Sequence, residues 1–405
     1  MEYESNFLKL NKRAMLGIGI WPVNSSSVYP NFAYRIYNGI LFVNYTTFLV
    51  TLVMGTKDTL HASPEEQAYV LEYLLSYAFL LWKIVLCQQE SIRKLMRIIS
   101  EKEKVIINCN DSGLKDIYGD GVKYNSNIFY LVLTIILTIT LMFLLVVCVE
   151  VKSWFAYEEI SNYTQSHKSL ILPAAVPFDT EKHFKLIFCF QGIFRTYAAF
   201  VFLGCNTLLN SLIYFPAAYL KVLGYKFEHF GDESDNGLTS SEEILRSLIL
   251  EHKEMIKYVD YLNDVLKWLL FFDFFIRSYH ITLALMGIMS LLQNSEFNME
   301  FISTFSFGMA YFGVLFIEMY CLYYSCNELI FESLEIPNCI FRSNWYEQPR
   351  GIQRSLLITM IRSQRPLEMK IGNLYTMNND LIVGFVKAGF TYVSLSISNL
   401  DFQHD

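Results

Sequence analysis

Charge is scarce in this chain and is never massed. Asp, Glu, Lys and Arg make up 18% of 405 residues, the formal net charge is −7, and no block of one sign occurs. That excludes the basic tracts that hold nucleic acid and the acidic tails of solvated interaction segments. Catalytic signatures are missing too: the sequence has no HExxH, no GxSxG and no glycine-rich phosphate loop. The eight cysteines (87, 109, 148, 189, 205, 321, 326 and 339) form no CxxC pair, and seven scattered histidines add no metal-ligand spacing. No acidic pair stands where it would move protons across a membrane. An enzyme is not expected, nor any metal or other cofactor. The first 35 residues hold no apolar stretch ending in a small-residue cleavage site, so the first hydrophobic span should serve as its own insertion signal.

What the chain does have is hydrophobic length. Residues 128–149 read IFYLVLTIILTITLMFLLVVCV without one charge, against the ~20 apolar residues a helix needs to cross the hydrocarbon of a bilayer. Comparable runs occupy 37–54, 69–87, 186–216, 266–292, 301–324 and 381–400, which predicts one domain of seven membrane-spanning helices and an all-α fold. Of the Lys and Arg between the spans, twenty-three fall on one side and five on the other. Positive charge is retained in the cytosol, so the N-terminus is expected inside and the C-terminus outside. The Asn162-Tyr163-Thr164 sequon then lies outside, open to glycosylation, whereas those at Asn24 and Asn110 lie inside. Cys148 and Cys189 fall near one membrane face, where either a disulfide or two free thiols would fit. A G-protein-coupled receptor has the opposite orientation, and the sequence lacks both DRY after the third span and NPxxY in the seventh.

Two inward segments are more than connectors. In 240–267, Ile244, Leu248, Met255, Val259, Leu262 and Leu266 recur at helical spacing after a Ser-Ser-Glu-Glu start, predicting an amphipathic helix that extends the fifth span into the cytosol. In 328–379, Ile352, Leu356, Leu357, Met360 and Ile361 mark a short helix ended by Arg365-Pro366. The outward segment 150–185, rich in aromatics, reads as a lid. Six ionisable residues fall within spans, where charge is costly and functional by default: Lys83, Arg195, Asp273, Arg277, Glu318 and Lys387. Asp273 and Arg277 stand at i, i+4 and are expected to pair. Lys83 and Glu318 are expected to snorkel to the nearer interface, and Arg195 and Lys387 to find partners on other helices.

The last 75 residues carry a more specific pattern: Asn344-Trp345-Tyr346, Arg354, Leu356-Leu357, Met360, Arg362-Ser363-Gln364, Pro366, Gly372 and Thr391-Tyr392. In order and spacing it resembles the C-terminal region of insect odorant receptors, whose length and layout also match. The related gustatory receptors carry TYxxxxxQF, whereas Ser398-Asn399 stands here. The resemblance implies a subunit of a tetrameric, ligand-gated, non-selective cation channel in the plasma membrane of olfactory sensory neuron dendrites. The absence of a long insert after the fourth span implies the odorant-binding subunit that pairs with a shared co-receptor. A homomeric gustatory-type channel, or a seven-span receptor or transporter acting alone, is the alternative.

The resemblance further implies an apolar odorant pocket among spans 2 to 6. Its candidate residues are Tyr73, Tyr77, Thr138, Met142, Gln191, Phe194, Tyr279, Phe305, Met309 and Phe312, although aromatics and methionines at such spacing also build bundle cores. By position after Thr391-Tyr392, Leu395, Ser398 and Asn399 match the pore gate, with Leu395 as a hydrophobic constriction. Trp345, Tyr346, Leu357, Ile361 and Arg362 would join subunits through a cytosolic base.

Overall fold

The computed structural model describes residues 5–21, 28–57, 64–160, 183–231, 241–294, 299–372 and 374–404, with backbone only for 28–31, 64–66, 145–160, 293–294, 299–300, 303, 304, 307, 392, 393 and 395–404. The described residues are almost wholly helical. In chain order they form α1 (Lys9–Gly17), α2 (Val28–Gly55), α3 (Pro64–Cys87), α4 (Glu90–Asn108), α5 (Ser112–Ile160), α6 (Phe184–Glu228), α7 (Ser241–Asn294) and α8 (Met299–Arg342). A single 3-10 turn (Trp345–Glu347), α9 (Arg350–Ser363), a two-stranded hairpin and α10 (Asn379–His404) complete the chain. The helices α2, α3, α5, α6, α7 and α8 are long and apolar enough to cross a membrane. The backbone of α10 occupies the expected seventh span.

Helices cover each of the apolar runs, but several run on beyond them. The segment after α3 was expected only as a connector. It forms α4, whose Ile92, Leu95 and Ile99 are fully buried. The next helix then starts at Ser112 rather than Ile128. Beyond the bilayer a helix needs one buried stripe rather than an apolar circumference, so hydropathy falls while the helix continues. The same holds for α7, which carries the predicted amphipathic stretch as one unbroken rod.

At the centre stands α6, buried on every side between Leu203 and Leu223 apart from the half-exposed Asn206 and the exposed Lys221. Pro216 lies inside it, and a proline leaves the carbonyl of residue i−4 without its helical donor. That carbonyl belongs to Leu212, and the Tyr258 hydroxyl of α7 donates to it at 3.0 Å. The N-terminal segment docks on the same helix. Asn11 donates to Ser211 Oγ at 2.6 Å, Ser211 to Asn125 Oδ1 at 2.8 Å, and Asn125 to the Phe7 carbonyl at 2.8 Å. These bonds join α1, α6 and α5.

Before α10 the chain reverses through the hairpin, Lys370–Ile371 against Tyr375–Thr376. Its turn needs Gly372, whose φ is +55° and whose missing Cβ would lie 2.7 Å from the Phe271 ring. Asn263 clamps the hairpin to α7, accepting from Lys370 N and donating to the Glu368 carbonyl, each at 2.9 Å. On α9, Leu356 is fully buried, whereas Leu357 and Ile361 point outward beside Ile358. Trp345 is half-buried against the core, but Tyr346 is exposed. Arg362 donates to the Arg365 carbonyl at 3.4 Å.

The Tyr258–Leu212 bond yields an energetic expectation. Tyr258→Phe leaves a buried carbonyl unsatisfied and should cost about 1–3 kcal/mol, lowering the thermal midpoint of the detergent-purified protein. With Pro216→Ala the carbonyl regains its own amide and the penalty should largely vanish; equal losses in both backgrounds would refute this role for Tyr258.

Candidate functional site

A cavity of about 280 Å³ opens among α3, α5, α6, α7 and α8. Its walls are mainly apolar, with Tyr77, Leu80, Ile136, Phe202, Ile276 and Val314 contributing from all five helices. Behind the Tyr77 wall, Phe194 and Phe48 stack with ring centroids 3.8 Å apart, and Tyr77 meets them at 5.8 and 5.5 Å. Such aromatic packing fixes the wall rather than leaving it free to collapse. Three polar features interrupt the lining. Tyr311 donates to Glu72 at 2.9 Å, and Ser76 meets His280 Nε2 at 2.8 Å. Arg195 lies over the Phe143 ring at 4.5 Å and has no carboxylate partner among the described residues.

One end of the cavity is closed by charge. Lys83 on α3 bonds Asp273 on α7 at 3.0 Å, Asp273 also pairs with Arg277, and Arg277 bonds Glu318 on α8 at 2.9 Å. Asn206 on α6 completes the ring, accepting from Lys83 and donating to Glu318, each at 2.7 Å. Two cations and two anions cancel, and all four are less than a tenth exposed. On its far side lies a second, smaller void of about 40 Å³ that also touches these four residues. The network is thus a septum between two voids, tying four helices together.

This corrects the reading of the ionisable residues. Asp273 and Arg277 do pair, but Lys83 and Glu318 do not snorkel: in hydrocarbon each is better served by an opposite charge across the bundle than by a distant interface. Arg195 does find a partner on another helix, though an aromatic ring of α5 rather than an opposite charge, whereas none is found for Lys387 among the described residues. Arg195 stacks on an aromatic ring, and Lys387 is exposed.

Of the candidate pocket residues, Tyr73 and Tyr77 line the cavity. Thr138 and Met142 are exposed on the outward face of α5, whose Ile136, Ile139 and Thr140 face the cavity instead. Gln191 and Phe194 are buried outside the lining. Tyr279 donates to the Ala68 carbonyl at 3.0 Å. Phe305 stacks on Phe301, Met309 is exposed and Phe312 packs on the core; their neighbours Ala310, Tyr311 and Val314 supply the α8 wall. Glu72, Ser76 and His280 were missed; their signal was polarity at the i, i+4 spacing on one face of α3, with a histidine inside the apolar run of α7 opposite. The side chains of Leu395, Ser398, Asn399 and Cys148 and the whole of Asn162 lie outside the described residues. Cys189 is an exposed free thiol.

Residues 63–387 match the 7tm Odorant receptor family. The chain belongs to that family. Among curated relatives, this odorant receptor is 23% identical to Odorant receptor 10 of Aedes albopictus over 215 residues, covering 52% of its own length and 55% of the relative's. It is 28% identical to Odorant receptor 22a of Drosophila melanogaster over 167 residues, 40% of its length and 39% of the relative's. It thus spans about half the length of the curated relatives it matches. The fold is that of the insect olfactory receptor OR5 from Machilis hrabei, with a TM-score of 0.77 at 15% identity over 96% of this chain and 97% of that one. The same receptor in complex with eugenol also superposes at 0.77, with 13% identity and 97% of both chains covered.

Breaking the septum should be costly. Lys83→Met leaves an excess buried anion and is expected to destabilise the receptor by about 3–5 kcal/mol, read as lost monodisperse protein in detergent. Adding Asp273→Asn restores neutrality and should recover much of that loss. A double variant worse than Lys83→Met would show that the charges do not act as one balanced set.

Proposed function

We propose that this receptor is the odorant-binding subunit of a heteromeric, ligand-gated, non-selective cation channel, assembled with a shared co-receptor in the plasma membrane of olfactory neuron dendrites. The carrying observation is the cavity: a mainly apolar, five-helix chamber with a few fixed polar groups, as a site for a small volatile needs. Its volume suits a ring or short chain bearing one hydrogen-bonding group. The relative solved with eugenol, a small phenol, supports that class of ligand. Here Ser76 with His280, and Glu72 with Tyr311, would orient a hydroxyl or carbonyl while the walls take the carbon skeleton.

Coupling to the pore would run through the septum. Phe274, next to Asp273 on α7, meets Phe385 of α10 at 4.7 Å, and Tyr323 of α8 meets the same ring at 6.1 Å. The helices that hold the septum therefore bear directly on the helix proposed to line the pore. Ligand opens the channel only if it favours the open bundle over the closed one. Leu395, Ser398 and Asn399 would form the gate, with the N-terminus inside and the C-terminus outside. The outward Leu357, Ile358 and Ile361 of α9 would meet neighbouring subunits in a tetrameric base.

Recording from cells that express the receptor with and without the co-receptor tests this reading. Odorant-evoked cation current should need both chains and no G-protein. Current from this chain alone would favour a homomeric channel, and no current at all would favour a receptor or transporter acting by itself. Tyr77→Ala should shift half-maximal odorant concentrations at least about tenfold, in line with ~1.4 kcal/mol per decade, at unchanged reversal potential. Leu395→Ala should alter basal current while preserving the odorant ranking. Leu357→Asp should abolish co-purification with the co-receptor; an intact complex would remove α9 from the interface.

A further inference from the structure

A second large cavity, about 550 Å³, lies far from the ligand chamber, between α1, α4 and the start of α5. Lys9 and Arg13 project into it from α1 and Lys115 from α5. None of the three has a carboxylate within ion-pair reach among the described residues. Asp120 on α5 holds Lys123 at 3.2 Å, and Glu254 holds Lys102. The one acid in the lining, Glu103, is fully buried and faces the chain's own N-terminal segment. It accepts from the Ser5 hydroxyl and from Asn6 N at 3.0 Å. Burial raises the Glu103 pKa and these hydrogen bonds oppose the rise. Three like charges, two from α1 and one from α5, thus converge on one concavity with no anion committed to them among the described residues.

The rim shows where the cavity stands. Tyr130 and Ile107 line it and are exposed. From Tyr130 an exposed apolar stripe, Leu131, Leu137, Leu141 and Leu144, climbs α5 through the uncharged run that begins at Ile128. Tyrosine favours the membrane–water boundary, so the Tyr130 rim of the basic cavity faces the level where headgroups end and acyl chains begin, on the Lys/Arg-rich side. We propose that it is a binding site for the polyanionic phosphate headgroup of an inner-leaflet phospholipid of the phosphoinositide type. Lys9, Arg13 and Lys115 hold the phosphates, and the acyl chains lie along the Tyr130–Leu144 stripe. A single phosphodiester would leave most of the chamber and the cations unmet; an inositol ring bearing phosphates offers both bulk and charge. Because α1 and α5 both contribute, occupancy would lock the N-terminal segment onto the bundle.

The full-length receptor in phosphatidylcholine nanodiscs, titrated with phosphatidylinositol bisphosphate, tests this. At roughly fivefold per cation near a membrane surface, Lys9→Gln/Arg13→Gln/Lys115→Gln should weaken binding about a hundredfold. Lys104→Gln/Lys253→Gln/Lys257→Gln removes as much charge from exposed positions outside the cavity and should leave affinity nearly unchanged. Equal losses in the two triple variants, or none in the first, would overturn the site in favour of diffuse attraction. Soluble inositol trisphosphate that binds as tightly as the lipid would overturn the lipid assignment. On the unmutated receptor, lipid should protect Lys9 and Lys115 from an amine-reactive reagent while leaving Lys104 labelled; no protection would refute the proposal without any variant having to fold.

Discussion

Hydrocarbon offers no hydrogen bonds and no counter-ions, so polar groups carried into the membrane gain most when another part of the chain satisfies them. That constraint explains features that otherwise look unrelated. Proline in α6 is tolerated because a tyrosine from α7 takes over the orphaned carbonyl. Four ionisable side chains survive in the bundle because they meet as two cations and two anions around an asparagine. A network of this kind adds little net stability over an apolar core of the same volume. What it does fix is geometry: α3, α6, α7 and α8 cannot rotate independently without separating opposite charges.

The same constraint gives the ligand chamber its character. Apolar walls alone would let helices slide together and close the space. Here one end is held by charge pairs and one wall by the stack of Phe48, Phe194 and Tyr77, so the chamber stays open in the unliganded chain. A preformed cavity spares a ligand the cost of making room for itself.

The spans were legible because each apolar run exceeds what a soluble helix needs, and their number and order follow from that alone. Their ends were not. Hydropathy drops at the membrane boundary whether a helix stops or continues as an amphipathic one, which concealed α4 and the early start of α5. That blind spot propagated. With the sixth span taken to end at Tyr324, Glu318 looked terminal and free to reach water; with α8 running to Arg342 it is interior and must pair. Rotation was the other hidden variable. On α3 the mixture of Glu72, Tyr73, Ser76 and Tyr77 marks a face, and two of the four were found. On α5 the sequence is apolar all round, so nothing distinguishes the chamber side, and Thr138 was chosen over Thr140. The C-terminal motif was readable because its residues do specific local work, as Gly372 shows by turning a hairpin under the Phe271 ring.

At 54 residues without a break, α7 is about 80 Å long at 1.5 Å per residue. It carries Ile276 and His280 at the chamber, Asp273 and Arg277 in the septum, and Asn263 at the hairpin clamp. These stations lie on a single stiff strut rather than on segments joined by hinges. A strut pivoting at its septum turns small displacements at one end into opposite displacements at the other. The leverage is set by where along its length the pivot falls. Moving Asp273 and Arg277 by one helical turn would leave the composition of the receptor untouched and alter its mechanical gain.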